Sequence, residues 1–198
     1  MILWSIQTSG AVQELKTKGV LRQNANHVDR SLRKPYKWMA HKMEELLDIP
    51  KRGCEFPLWC WFHWEGEEKK RPDLRCKAHL PKGEQGARLT IEVDDKYVLF
   101  SDFDLWHFVL NYWYLPFSSQ EGDHFEKKLE SKNLDFYTMK PLPNPLFDRL
   151  IVKSWDRIFD LEWEAEEVAL PFNKKSIQGT IWEISKEHVR KMDWFYAR

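Results

Sequence analysis

Residues 2–7, ILWSIQ, are apolar and rich in strand-favouring side chains, and predict a strand almost at the first residue. Thr8 or Ser9 then offers a side-chain cap for a helix running to Lys18. Ala11, Val12 and Leu15 form its apolar face, and Gly19 is placed to end it. Residues 20–30 read as a polar connection. A second helix is expected over 31–47, where Tyr36, Met39, Met43, Leu46 and Leu47 share a side and Ile49, Pro50 and Gly53 mark the stop. Residues 56–64, FPLWCWFHW, are dense in aromatics and predict a buried strand. Residues 65–86 are charged and contain Pro72, Pro81, Gly83 and Gly86, the pattern of a long loop. Loops of that length in compact domains tend to carry function.

Strands at 88–93 and 96–101 flank Asp94 and Asp95, which read as a hairpin turn. A helix follows over 103–115 with Ser101 or Asp102 as its cap. Residues 118–132 are polar and predict a mobile lobe or short helix. Pro141, Pro143 and Pro145 mark a boundary before a helix over 146–159. Residues 177–184 form a strand, Ser185 caps a short turn holding His188 and Val189, and 191–196 close the chain as a strand. There is no internal repeat. This order of elements predicts an α+β fold: one globular domain over 1–198, with a mixed, mainly antiparallel central sheet flanked by helices.

Composition narrows the function classes. With 42% apolar and 31% charged residues the chain can build a core without a disulfide or metal staple. Lys plus Arg and Asp plus Glu number 31 each, so bulk charge does not steer the protein to nucleic acid. Three cysteines, an odd and low count, point to a reducing compartment, and the cytoplasm is the expected location. The first residues lack the basic region of a signal peptide, and no window approaches the ~20 apolar residues of a membrane span, so no membrane partner is expected. The 11 tryptophans are the one strong deviation. Each brings a large apolar area and an N–H that wants a partner when buried.

Three segments carry candidate chemistry. On a helix, Asp104, His107 and Asn111 share a face, so Asp104 is placed to orient His107 in the wall of a site. The competing reading is a capped helix whose histidine is satisfied locally. Cys76 and His79 have ligand-like spacing, but the gap from Cys54 to Cys60 is wrong for a zinc knuckle, and no metal site is expected. In the basic run 69–75, Arg71 and Arg75 could grip a phosphate beside the rings of Trp59, Trp61 and Trp64, although such runs are more often solvated loops.

The strings 4–8, 19–21, 36–39, 57–61, 71–75, 101–111 and 178–184 together resemble an uncharacterised bacterial and phage family known only as a domain of unknown function. Residues 4–21 and 177–189 also resemble, more remotely, the opening and late strands of ADP-ribosyltransferase-like proteins, the DarT-like toxins and RNA phosphotransferases among them. That second resemblance implies an ADP-ribosyltransferase-like fold with NAD as cofactor. It implies a nucleotide cleft using Trp4, Ser5, Gln7 and Thr8, and transfer of ADP-ribose to a nucleic acid or protein acceptor. Ser5 stands where DarT-like proteins have His, Gln7 where they have Thr, and Gln178 where they have the late glutamate. Glutamine can hydrogen-bond a ribose hydroxyl but cannot act as a carboxylate base.

The site expected from these readings has Gln178, His107 and Glu183 as catalytic candidates. Trp4, Ser5, Gln7, Thr8, Arg71, Arg75 and Asn111 are the cofactor-binding ones, and Gln7, His107 and Gln178 should converge on one pocket. The alternative is a non-enzymatic phage or mobile-element accessory protein with an aromatic-lined recognition cleft. A metal-dependent nuclease built on Asp102, Asp104 and His107 is a third reading, and the lack of further spaced carboxylates counts against it.

Overall fold

A computed structural model of the chain describes residues 1–51 and 53–198. It is an α+β structure in two compact units, one made of residues 1–100 with 177–198, the other of residues 101–176.

The first unit opens with β1 (Ile2–Thr8) and α1 (Ser9–Lys18). Thr8 caps α1 by accepting the Ala11 N–H, and Gly19 ends it at φ 79°, a left-handed conformation that glycine adopts without a Cβ clash. The chain continues through β2 (Val20–Arg22), α2 (Arg33–Leu46), β3 (Leu58–His63), β4 (Gln85–Glu92) and β5 (Leu99–Asp102), and returns from the second unit as β6 (Ile177–Ile181), β7 (Glu183–Ser185) and β8 (Val189–Tyr196). Six of these strands form a mainly antiparallel sheet in the order β5-β6-β3-β1-β4-β8, while β2 and β7 pair separately. One face of the large sheet is the core: Leu3, Cys60, Leu89 and Ile91 are fully buried and cluster with Val12 and Leu15 of α1. Each large aliphatic side chain buried there contributes roughly 1.5–3 kcal/mol.

Two expectations change. The polar connection at 20–30 contains β2, which the sequence pattern missed because three residues show no periodicity. The hairpin around Asp94 and Asp95 does not form. Asp94 instead caps a tight turn at Asp95–Tyr97 by accepting the Lys96 N–H, and β5 emerges at the far edge of the sheet, beside β6. Met1 closes the β1–β4 ladder in its place, exchanging both backbone hydrogen bonds with Val93.

The second unit holds α3 (Phe103–Asn111), α4 (Ser119–Glu130) and α5 (Pro145–Ser154). Asp102 caps α3 by accepting the N–H groups of Asp104 and Leu105. The helix ends at Asn111, four residues short of the expected Leu115, because Tyr112 takes the left-handed conformation. The polar stretch after it is the regular helix α4, and the helix expected over 146–159 is α5 followed by a 3-10 turn. Its buried residues include Leu105, Val109, Phe125, Phe147, Ile151 and Ile158. Among the described residues no helix is long and apolar enough to cross a membrane.

Candidate functional site

Strand register decides which polar groups share a face. Gln178 lies opposite Trp61, Trp61 opposite Trp4, Trp4 opposite Thr90, and Thr90 opposite Lys191. Directly opposed residues project to the same side of a sheet, so this row shares the face away from the α1 core. Gln7 is three residues along β1 from Trp4, an odd number, and projects from the other face. Gln7 and Gln178 therefore do not meet, and the single pocket expected to hold both is not formed. The other polar groups of β1 are engaged locally. Ser5 is fully buried and donates to the Trp59 carbonyl at 2.9 Å while accepting from Gln7 Nε2 at 2.8 Å. Thr8 serves the α1 cap.

The long loop after β3 doubles back on itself. The N–H groups of Trp64 and Glu65 bond the carbonyls of Lys70 and Lys69. Aromatic rings then run from the sheet into the loop: Trp61 to Trp64 at 4.5 Å, Trp64 to His79 at 5.0 Å, and His79 to Phe195 at 6.0 Å. Beneath the loop lies Arg88, a buried cation of β4 that sequence patterning gave no reason to single out. Its Nη1 donates to the Pro72 carbonyl at 2.5 Å and its Nη2 to Asp193 at 2.7 Å, so it fixes the loop to the sheet. Trp64, Glu65, residues 67–75 and Arg88 line a cleft of about 840 Å³, within the roughly 300–1,000 Å³ of small-molecule sites. Of the three rings expected beside the basic run, Trp64 lines this cleft, with Trp61 packed behind it.

The charges of this cleft sort into engaged and free. Lys69 pairs with Glu65 at 2.8 Å. Arg75 chelates Asp73 through Nε and Nη2, which holds the Asp73 carboxyl well below the usual carboxylate range. Arg75, expected to grip a phosphate, is thus committed to its neighbour. Lys70, Arg71, Glu67 and Glu68 also line the cleft, and none of them forms a salt bridge among the described residues.

Glu183 stands apart from Gln178. The chain bends at Trp182, so Glu183 begins β7 in the small sheet, where Arg22 donates to Glu183 Oε2 through Nε at 2.8 Å and Nη2 at 2.7 Å. Glu183 and His188 help to line a separate cavity of about 270 Å³. His188 Nδ1 accepts the Ser185 N–H at 3.2 Å, and burial lowers its pKa.

In the second unit, His107 is exposed. Its Nδ1 lies 3.0 Å from the Phe103 carbonyl and 3.3 Å from the Asp104 carbonyl, so backbone oxygens, rather than the Asp104 carboxylate, fix the proton on Nδ1. Asn111 Nδ2 donates to the His107 carbonyl at 2.9 Å. Both side chains thus match the locally satisfied reading. Asp104 is pushed up by burial and by Asp102 beside it. The unforeseen element is Lys175, fully buried, whose Nζ meets Asp102 Oδ2 at 2.9 Å.

The cysteines are dispersed in role. Cys54 Sγ donates to the Trp182 carbonyl, burial pushes the Cys60 thiol up to about 12, and Cys76 is half-buried. Among the described residues no group of three or more His, Cys, Asp or Glu side chains could hold a metal ion.

The molecule is thus an α+β protein with a mainly antiparallel sheet and an aromatic cleft carrying charges of both signs beneath one long loop. Over residues 2–190 it matches the model of a family described as "Domain of unknown function (DUF3841)", and the chain belongs to that family. No curated protein and no solved structure matches it.

Proposed function

We propose that the chain is a nucleotide-binding protein and that the cleft beneath residues 64–75 is where the nucleotide sits. The observation that carries this reading is the lining of that cleft, which has three kinds of group matching the three parts of a nucleotide. The half-buried Trp64 ring offers a stacking surface for a base. The carboxylates of Glu67 and Glu68 can accept hydrogen bonds from ribose hydroxyls, and Lys70 and Arg71 supply cations for phosphate. The volume of about 840 Å³ accommodates a dinucleotide such as NAD.

The ADP-ribosyltransferase-like reading of fold and chemistry remains part of the proposal in a restricted form. Transfer needs a carboxylate near the nicotinamide ribose to stabilise the developing oxocarbenium ion. Gln178, which by resemblance stands where the late glutamate would be, carries an amide and does not line this cleft, and Glu183 is held by Arg22 in the other sheet. Binding without transfer is therefore the favoured form of the activity.

Calorimetric titration with NAD, ADP-ribose and AMP tests this. Saturable binding is expected for at least one of them. Arg71→Ala should weaken it by at least about tenfold, the loss of one charge-assisted hydrogen bond, and Trp64→Leu should weaken it further. Absence of saturable binding, or binding untouched by both substitutions, overturns the assignment. Release of nicotinamide from NAD by the purified protein would overturn the restriction to binding.

A further inference from the structure

The second unit has its own recess, away from the residues of the nucleotide reading. Phe108 at the end of α3, Trp113 and Tyr114 after it, Glu126 of α4, and Phe136 and Tyr137 line a cavity of about 130 Å³. That is well under the roughly 300 Å³ of an ordinary small-molecule site, so it admits a group of only a few heavy atoms. Its walls are ring surfaces at steep mutual angles. Phe108 and Trp113 have centroids 6.1 Å apart at 82°, and Trp113 and Tyr137 are 6.3 Å apart at 61°. Phe136 closes a further side, 4.5 Å from Tyr137.

An aromatic ring that presents its face to such a recess offers the negative side of its quadrupole, which favours a cation within about 6 Å of the centroid. One carboxylate stands at the rim: Glu126 accepts from the Tyr137 hydroxyl at 3.3 Å. The same aromatic group already attracts a cation elsewhere, since the Arg157 guanidinium lies 6.0 Å from the Tyr114 ring centroid. A primary ammonium would need three acceptors, and Glu126 is the single carboxylate among the residues lining the recess. A fully methylated ammonium has no N–H to satisfy, presents a greasy charged surface, and fits both the size and the chemistry of the recess.

We infer that this recess binds a quaternary trimethylammonium group, with the rings around Trp113 as its cage and Glu126 as its counter-charge. The group could belong to a small molecule or to a methylated lysine, and the two sources are separable by experiment.

The test is calorimetric titration of the full chain with tetramethylammonium chloride, choline chloride and a trimethyl-lysine peptide, at ionic strength matched with sodium chloride. The comparator is 3,3-dimethylbutan-1-ol, the uncharged carbon isostere of choline. Saturable binding of the cations at least about tenfold tighter than that of the alcohol is expected, since only the cations gain the cation–π attraction. Preference for the peptide assigns the group to a modified protein, and preference for choline assigns it to a small molecule. Tyr137→Ala and Glu126→Gln alter exposed side chains and preserve the fold, which circular dichroism verifies. The first should abolish binding and the second weaken it several-fold. Equal binding of the neutral alcohol, no saturable binding of any cation, or cation binding unchanged in both variants overturns the inference. NAD binding is read separately, so loss of either site leaves the other interpretable.

Discussion

Replacing Lys175 by Met is expected to be the most damaging single conservative substitution in the second unit. Lys175 is fully buried and Asp102 is 2% exposed, with 2.9 Å between Nζ and Oδ2. Methionine keeps most of the side-chain volume and removes the charge, so Asp102 is left as a buried anion without its cation. Breaking such a pair from one side costs about 3–5 kcal/mol. Asp102 keeps two backbone donors, the N–H groups of Asp104 at 2.9 Å and Leu105 at 3.2 Å, which places the expected loss near the lower end, about 3 kcal/mol. With a urea m-value of about 2 kcal/mol/M, the midpoint should move down by about 1.5 M.

The assay is urea unfolding followed by tryptophan fluorescence and circular dichroism, on Lys175→Met, Asp102→Asn and the double variant. Asparagine retains the α3 cap while removing the charge. The double variant should therefore lie within about 1.5 kcal/mol of the unmodified protein, because replacing both charges avoids the stranded ion. A Lys175→Met loss under about 1 kcal/mol would show that the pair is solvated or dispensable. A double variant as unstable as Lys175→Met would show that the packing of the lysine stem, rather than the charge, is what matters.

Two other outcomes follow from the geometry of the first unit. Burial holds the folded-state pKa of His188 below its unfolded value, so between the two the unfolded chain binds more protons. Stability should be complete above about pH 6.5 and fall as pH drops through and below it; melting temperatures against pH should show this slope, and His188→Gln should reduce it, leaving the share of His63, whose pKa burial also lowers. A Cβ at Gly179 would meet Val98 Cγ1 at 2.6 Å and Phe100 Cε1 at 3.3 Å, so Gly179→Ala should cost about 1–3 kcal/mol of stability, measured by the same urea titration, and an unchanged midpoint would refute the close approach.

Local rules read well from the sequence. Thr8 and Gly19 bracket α1 as their chemistry requires, and the apolar run in residues 2–7 and the aromatic run of β3 mark true strands. What escaped depends on partners distant along the chain. Asp94 and Asp95 look like a hairpin turn, yet the ladder that β5 joins is set by β6, whose small Gly179 lets Val98 and Phe100 lie against it. Arg88 looks like any polar position in an alternating strand until Pro72 and Asp193 close on it from opposite directions in the sequence. Lys175 and Asp102 are 73 residues apart, and no spacing rule connects them. Gln7 and Gln178 each looked suited to a ligand, but parity in the sheet, which a sequence without known register does not reveal, sends them to opposite faces. Glu183 follows from the bend at Trp182, where a continuous strand had been expected.

The closure of the second unit on itself has an evolutionary consequence. Its two ends meet: the Phe103 N–H bonds the Ser176 carbonyl at 2.9 Å next to the Asp102–Lys175 pair. The chain leaves the large sheet at β5 and rejoins it at the neighbouring β6. An excursion whose ends already touch makes little demand on what lies between them, since closing a longer or shorter loop changes the entropy only logarithmically. Natural selection could therefore enlarge, trim or exchange the chain between Phe103 and Ser176 as a cassette while the sheet stayed the same.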